Sequence, residues 1–469
     1  LRSLRPFSRR ARREYRDDVD RAFGRVERIT AVGGLIGTLE QLTTARSMSD
    51  RGLLAWPVAR TRLRGFNGRA GSVLNALVAY PNVKLTLAAR ATAAAGLLLG
   101  ARSRRGRASL TAAMAGSNTV LHLRNVYGSD GSDQLATLSY AAASLEKLAA
   151  VDDRVSREIA LGFVAAQSCL AYGTSGAAKL VSSTWRDGTA ILHIFRCVTY
   201  GDRTLYELCR HRPWLARVLA WSVIVGELAF PLVLVAPQRL RPLFFGAGAA
   251  FHVANAKFMG LNRFFWSFVG SYPAVAHVAG RRWRSASPVP VERSVARGHR
   301  LSGLLAIAGF GAWLGVSVLQ QLNRRDPWSK RLDPSSVFVP EWKFFAPTPV
   351  RHDYNLLYRV EADHGEPSPW REIGIIEPRR TGHLVWHPGR REEKALFDAA
   401  NELFRTAQRT ENRDQVRLTV PYLTLLNYVT NRAEGVKSGD RVQFLLATSA
   451  SHEPDVRPEA VYVSSFHRI

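Results

Sequence analysis

From about Val73 to Leu319 the chain alternates long apolar runs with short Arg-rich breaks, and from Asn323 onward it takes the mixed pattern of a globular domain. A helix needs about 20 mainly apolar residues to cross a bilayer. The runs at 214–236 and 301–319 meet this most clearly, followed by 83–100, 159–178 and 243–260. Those at 29–44, 109–126, 134–150 and 264–279 carry more Gly, Ser and Thr and an occasional charge. Such residues suit helices packed inside a bundle, where small side chains permit close approach. The pattern predicts an all-α polytopic membrane helix bundle of about nine spans over residues 29–320.

The tail reads differently. In 354–363, Tyr354, Leu356, Tyr358 and Val360 alternate with Asn355, Arg359 and Glu361, which is strand periodicity. In 392–410, Leu396, Ala400, Leu403, Phe404 and Ala407 share one helical face. A second helix is expected over 422–431, with Pro421 tolerated in its first turn. Segments 442–448 and 460–466 read as closing strands. Residues 351–469 are therefore expected to form a small soluble α+β domain. The stretch 321–350 leads into it, and its aromatic- and Pro-rich part, VPEWKFFAPTP, predicts a rigid, extended connector.

Charge adds a direction. The formal net charge is +27, and the arginines gather at the N-terminus and between apolar runs. A basic chain can bind nucleic acid, but no recognition motif is present, and basic loops are what the cytoplasmic side of a membrane protein shows. With residues 1–28 as a basic cytoplasmic segment, loops 102–107, 152–158, 237–241 and 281–300 fall inside. The acidic loop 128–133 and the C-terminal domain then fall on the extracytoplasmic side. The basic stretch 46–69 lands outside against the rule and is read as amphipathic and surface-lying. The expectation is a multi-pass protein of the cell membrane, with the lipid bilayer as its partner and no nucleic acid. Cys169, Cys197 and Cys209 have no metal-ligand spacing, and no metal is expected.

Ionisable residues inside apolar spans are costly and mark candidate sites. Glu227 lies within WSVIVGELAFPLVLV, and His252 lies within FFGAGAAFHVANAKFMG, with Asn255 one turn on. Lys179 closes the run CLAYGTSGAAKL, and Glu40 sits in the weak first span. Each has a structural reading: Glu227 pairs within the bundle, His252 is a hydrogen-bonded buried histidine, and Lys179 snorkels to the interface. Lys179 also has a chemical one. In an apolar setting the amine's pKa falls from about 10.4 toward neutrality, which makes it a general base. Gly173, Ser175, Gly176 and Ala177 would let a flat cofactor approach the backbone.

These residues resemble a known family. The run YGTSGAAKLVSSTW at 172–185, followed by Gly188, is similar to the "Y…G…K-L…W…G" signature of the horizontally transferred transmembrane (HTTM) domain, related to vitamin K-dependent gamma-glutamyl carboxylase. Three further blocks agree in order: YGSDGSDQ at 127–134, ELAFPLVL at 227–234, and HVANAKFMGLNRFFWSF at 252–268 with Tyr272 and Pro273. The likeness covers about 29–319.

By that resemblance Lys179 takes the place of the lysine that deprotonates reduced vitamin K, and His252 matches the histidine of the later span. In the carboxylase, dioxygen then converts the quinol to a strong base. That base removes a glutamate γ-proton, and carbon dioxide adds. Tyr172, Gly176, Trp185, Glu227 and Asn255 are the implied cofactor-binding residues. The implied cofactor is reduced vitamin K, or menaquinone given the Ala-, Arg- and Gly-rich, bacterial-looking composition. A protein or peptide on the extracytoplasmic side is the implied substrate. The chain departs from the family in its C-terminal part and in one extra residue between the Lys-Leu pair and the Trp. The alternative is a non-catalytic membrane module that anchors an extracytoplasmic partner-binding domain. A transporter has less support, because no matching pair of interrupted segments occurs in two halves.

Overall fold

The computed structural model describes residues 9–469 except 64–67, 102, 151–152, 285–295, 323–332, 334–335, 363–364, 411, 435 and 454. The start of the basic N-terminal segment, part of the loop 281–300 and the first half of the connector thus lie outside the described residues. The helices before the connector are α1 (Arg9–Thr43), α2 (Trp56–Ala59), α3 (Gly68–Val78), α4 (Val83–Leu98), α5 (Arg104–Arg124), α6 (Gly131–Glu146) and α7 (Arg154–Leu180). They continue with α8 (Ser183–Asp187), α9 (Thr189–Phe195), α10 (Arg203–His211), α11 (Pro213–Ala229), α12 (Arg241–Met259), α13 (Asn262–Arg284) and α14 (Ala296–Gln321).

Local signals set the ends of these helices. Asp130 caps α6 by accepting the Ser132 amide at 3.0 Å, and Asp153 caps α7 by accepting the Ser156 amide at 3.1 Å. Pro213 starts α11, where its missing N–H costs nothing. Gly260, at φ +66°, ends α12 in the left-handed conformation that favours glycine. Helix α7 is the axis of the bundle and packs against α6, α11, α13 and α14.

The expected membrane bundle of about nine spans is corrected here. Among the described residues two helices, Pro213–Leu234 and Leu301–Gln321, are long and apolar enough to cross a membrane, with mean hydropathy 1.7 and 1.8. Two of the other runs, 83–100 and 134–150, fold as helices of only 16 residues, short of the about 20 that a span needs. Run 134–150 contains Glu146 and Lys147, and Glu146 pairs with buried Arg157 of α7 at 2.5 Å. Arg157 also holds Asp20 at 2.6 Å, and Glu27 of α1 pairs with Arg107 at 2.8 Å and with Lys147. One end of the bundle is therefore tied by ion pairs among α1, α5, α6 and α7. In run 83–100, Val83 and Leu87 join a core shared with the C-terminal domain, and Arg90 is buried mid-run.

The C-terminal part has β1 (Asp353–Glu361), β2 (Arg371–Glu372), α15 (Arg390–Arg409), α16 (Arg413–Arg417), α17 (Val420–Arg432), β3 (Arg441–Ser449), β4 (Glu459–Val463) and β5 (His467–Arg468). The strands form one antiparallel sheet in the order β2-β1-β3-β4, with β5 also on β3. Leu356 opposes Leu446, and Tyr358 opposes Phe444. The face bearing Leu356, Phe444 and Leu446 packs on Leu396, Ala400 and Leu403 of α15 and on Tyr422, Leu425 and Val429 of α17. β4 stops at Val463, short of the expected 466. Met48, Leu53 and Leu54 belong to this same core. The stretch 46–69, expected to lie on the surface, instead anchors the C-terminal domain at its start.

The junction of the two parts is also polar. Asp353 accepts the Val198 and Thr199 amides at 2.8 and 2.9 Å, and Glu40 accepts Asn262 Nδ2 and the His387 amide at 2.8 and 2.6 Å. His387 stacks on His383 with ring centroids 3.8 Å apart and pairs with Glu393 at 3.3 Å. Burial, reinforced by His387 and Arg379, holds the His383 imidazole down at about 4. The folded state therefore keeps His383 neutral while the unfolded chain protonates it near 6.5. Its contribution is complete above pH 6.5 and is lost as pH falls toward 4. We expect the melting temperature to decline between pH 7 and pH 5, and the decline to be shallower in His383→Gln. Thermal unfolding at the two pH values measures both.

Candidate functional site

Helix α7 presents Tyr172, Ser175, Gly176 and Lys179 on one buried face, at the i, i+3, i+4, i+7 spacing of a helical stripe. Opposite this stripe α11 brings Glu227. Lys179 Nζ lies 2.8 Å from Glu227 Oε2 and 3.0 Å from Oε1, and it also donates to Ser175 Oγ. Ser175 donates to Glu227 Oε1 at 3.2 Å, which closes a three-membered polar cluster. Lys179 is 3% and Glu227 4% exposed. The amine is thus neither at an interface nor alone: it is half of a buried ion pair. Of the structural readings, snorkelling fails, and Glu227 pairs within the bundle with Lys179 as its partner.

Gly176 makes the pair geometrically attainable. A Cβ there would lie 2.9 Å from both the Leu228 amide nitrogen and Leu228 Cγ, and 3.0 Å from Glu227 Cβ. The space that the small residues of 173–177 leave is therefore filled at Gly176 by α11, where a flat cofactor was expected. Trp185 of α8 covers the other side of the amine, with its ring centroid 5.1 Å from Lys179 Nζ. Trp185 Nε1 donates to the Phe345 carbonyl at 2.9 Å, and Ser182 Oγ donates to the Pro347 carbonyl at 2.7 Å. The connector thus lies across the lysine end of α7. Trp342, fully buried, fixes it deeper in the bundle through Gln321 Oε1 at 2.9 Å and Gln167 Oε1 at 3.3 Å.

Two turns away on α7, about 10 Å along the axis, Tyr172 forms a second cluster. Its hydroxyl is 2.6 Å from His252 Nε2 of α12 and 2.7 Å from Tyr272 Oη of α13. The Tyr172 ring stacks on Phe230 at 4.0 Å, and the His252 ring stacks on Phe268 at 4.5 Å. His252 is 2% exposed, and its Nδ1 has no hydrogen-bond partner among the described residues. One consistent set of donors runs Tyr272 to Tyr172 to His252 Nε2, which leaves the proton on Nδ1. Gly248 makes room for this arrangement: a Cβ there would meet the Tyr272 hydroxyl at 2.3 Å.

The structure therefore gathers Lys179, Glu227, Trp185 and Gly176 at one station, and Tyr172 and His252 at the next. Asn255 is not brought to either by a side-chain contact given for it. It is half-buried, and its carbonyl accepts the Leu261 amide at 3.2 Å at the end of α12. Sequence reasoning missed the roles of Ser175, Tyr272, Gly248 and Phe230. Ser175 sits one turn before Lys179, a signal that was available. Tyr272 was marked only as part of the resemblance, without a role, and Gly248 is an ordinary residue of an apolar run. The three cysteines are free and buried. Groups of three or more His, Cys, Asp or Glu residues able to hold a metal ion are absent among the described residues.

Comparison with known proteins returned no match: no family model, no curated protein and no solved structure matches this chain.

Proposed function

We propose that the chain is a membrane-embedded enzyme of the HTTM kind that acts on a lipid quinol, with the Lys179–Glu227 pair as its proton-handling centre. The lipid setting is supported by what α11 and α14 expose. Only 28% of the Pro213–Leu234 window and 11% of the Leu301–Gln321 window is buried within the protein. Trp214, Val218, Val225 and Leu232 face outward from the first, and Leu301, Leu304, Leu305 and Ile307 from the second. Contiguous apolar surface of this kind is unfavourable in water and marks a membrane or partner surface.

The observation that carries the chemistry is the isolation of an amine–carboxylate pair and an orphaned imidazole nitrogen within aromatic surroundings. A buried ion pair is costly to keep, and buried ionisable pairs in a shaped apolar site are where acid–base chemistry is placed. One atom suits a quinol hydroxyl: His252 Nδ1 has no hydrogen-bond partner among the described residues. The rings of Phe230, Phe268 and Trp185 already lie against Tyr172, His252 and Lys179, so a headgroup would have to displace one of these contacts. A quinol bound there would supply the reducing equivalents that react with dioxygen. The chain's own part is to move the proton. Transfer from Lys179 Nζ to Glu227 turns the ion pair into a neutral amine and a carboxylic acid, and the amine then accepts a hydroxyl proton. Trp185 and the connector keep water from this end of α7. Tyr172, held by Tyr272, fixes the orientation of His252.

Vesicles test the reading directly. The full chain, reconstituted with and without a naphthoquinone in the bilayer, is expected to float with the lipid and to lose tryptophan fluorescence when the quinone is present. Trp185→Phe should remove part of that quenching. Protein that stays in the aqueous fraction, or quenching identical in the variant, would contradict it.

A further inference from the structure

A third polar cluster lies away from both stations, where α1, α4, α5, α6 and α15 meet. Gln41, Arg90, Asn118, Asp133 and Arg391 line a small cleft there. Each of the four besides Asp133 is more than nine-tenths buried and has one polar atom without a hydrogen-bond partner among the described residues. Arg90 gives Nη1 to Thr38 Oγ1 at 2.9 Å, which leaves Nε. Arg391 gives Nη2 to both Asp133 oxygens at 3.0 Å and Nη1 to the Gly128 carbonyl at 3.1 Å, which again leaves Nε. Asn118 leaves Nδ2, and Gln41, whose Nε2 is bound to the Gly37 carbonyl at 3.0 Å, leaves Oε1.

Among these four side chains the tally is three donors to one acceptor. Arg90, Arg391 and Arg263 face Asp133 and Asp130, with Arg263 held by Asp130 at 3.0 Å and Asp133 at 3.5 Å. Glu40 adds a third carboxylate beyond Arg263, with hydrogen bonds from Asn262 and the His387 amide, and Arg90 is the guanidinium with no ion pair among the described residues. Unsatisfied buried donors and an unpaired buried guanidinium are each costly, so a native arrangement that keeps several together calls for a bound group. The cleft leaves about 10 Å³ for the centre of a water-sized sphere, which is room for one atom of that size. A single water accepts two hydrogen bonds and brings no charge. An anion accepts all three and gives Arg90 the charged partner it lacks among the described residues.

We propose that this cleft is a binding site for a small monovalent anion, either a halide or one oxygen of a carboxylate group, held by Arg90, Asn118 and Arg391. The site ties the C-terminal domain to the bundle through Arg391, so occupancy is expected to stabilise the full chain. It stands independently of the quinol reading.

Thermal unfolding of the full chain in detergent tests it, in sodium chloride, bromide, acetate or bulky gluconate at equal ionic strength. A saturable rise in melting temperature with chloride and bromide supports a halide site. A rise with acetate alone supports the carboxylate arm. In Arg90→Gln the apparent affinity should fall about tenfold or more, since a charge-assisted bond is lost, and Asn118→Leu gives a second variant should the first fail to fold. Equal melting in all four salts, or protection unchanged in both variants, would mean that the cleft holds an ordered water only and would overturn the proposal.

Discussion

Lys179→Ala and Glu227→Ala are each expected to lower stability by about 3–5 kcal/mol, because either leaves an uncompensated charge in the bundle interior. Both partners are under 5% exposed, and Ser175 can satisfy only part of what remains. The double replacement Lys179→Met with Glu227→Leu should recover most of the loss, since well-packed apolar residues of similar volume commonly substitute for a buried pair at little cost. Denaturant unfolding of the four proteins closes the cycle. Single variants that each cost less than about 1 kcal/mol would show that the pair is solvated like a surface salt bridge. The double variant also has a use beyond stability: it should keep the fold while lacking the proton-handling groups.

The second large effect is expected at Gly176. Any side chain there meets the Leu228 backbone nitrogen at 2.9 Å, and backbone cannot swing aside as a side-chain tip can. Gly176→Ala should cost about 1–3 kcal/mol by overpacking, and Gly176→Val more. Because α7 and α11 must part to admit the new atoms, the Lys179–Glu227 contact should lengthen as well. Gly226 of α11 serves as the control, since nothing lies within 4 Å of a Cβ built there. Melting temperatures of Gly176→Ala and Gly226→Ala, compared side by side, separate the packing effect from the helix-propensity effect that both share.

Much of the C-terminal domain was legible because its signals are local. The alternation of Tyr354, Leu356 and Tyr358 places three side chains on one face of β1, and the stripe through Leu396, Ala400 and Leu403 does the same for α15. The bundle was legible in its helices but not in their surroundings. A hydrophobic run such as 83–100 looks the same whether lipid or protein covers it, and here Val83 and Leu87 belong to the core that also holds Leu356 and Tyr422. Likewise Glu146 and Arg157 look like ends of spans until their 2.5 Å contact is seen. The count of about nine membrane helices fell because runs such as 83–100 and 134–150 fold as helices of only 16 residues, a length that the run alone does not fix.

The candidate site shows the same division. Lys179, Glu227 and His252 stood out as ionisable residues in apolar runs. The helical spacing of Tyr172, Ser175, Gly176 and Lys179 was there to be read, and the structure puts all four on one face of α7. What no spacing revealed is which helix faces which. The Lys179–Glu227 pair spans α7 and α11, and the Tyr172 hydroxyl is shared by His252 of α12 and Tyr272 of α13. Those juxtapositions are tertiary, and the close approach at Gly176 that permits the first was assigned to a ligand in the sequence reading.

The central claim is that the buried amine of Lys179 handles the proton of a quinol. Oxygen uptake by the purified full chain, supplied with a reduced naphthoquinone in detergent, measures this most directly. The account predicts turnover in the wild-type protein and a loss of at least about a hundredfold, the usual worth of a general base, in the folded Lys179→Met, Glu227→Leu double variant. Turnover in that variant equal to the wild type would contradict it.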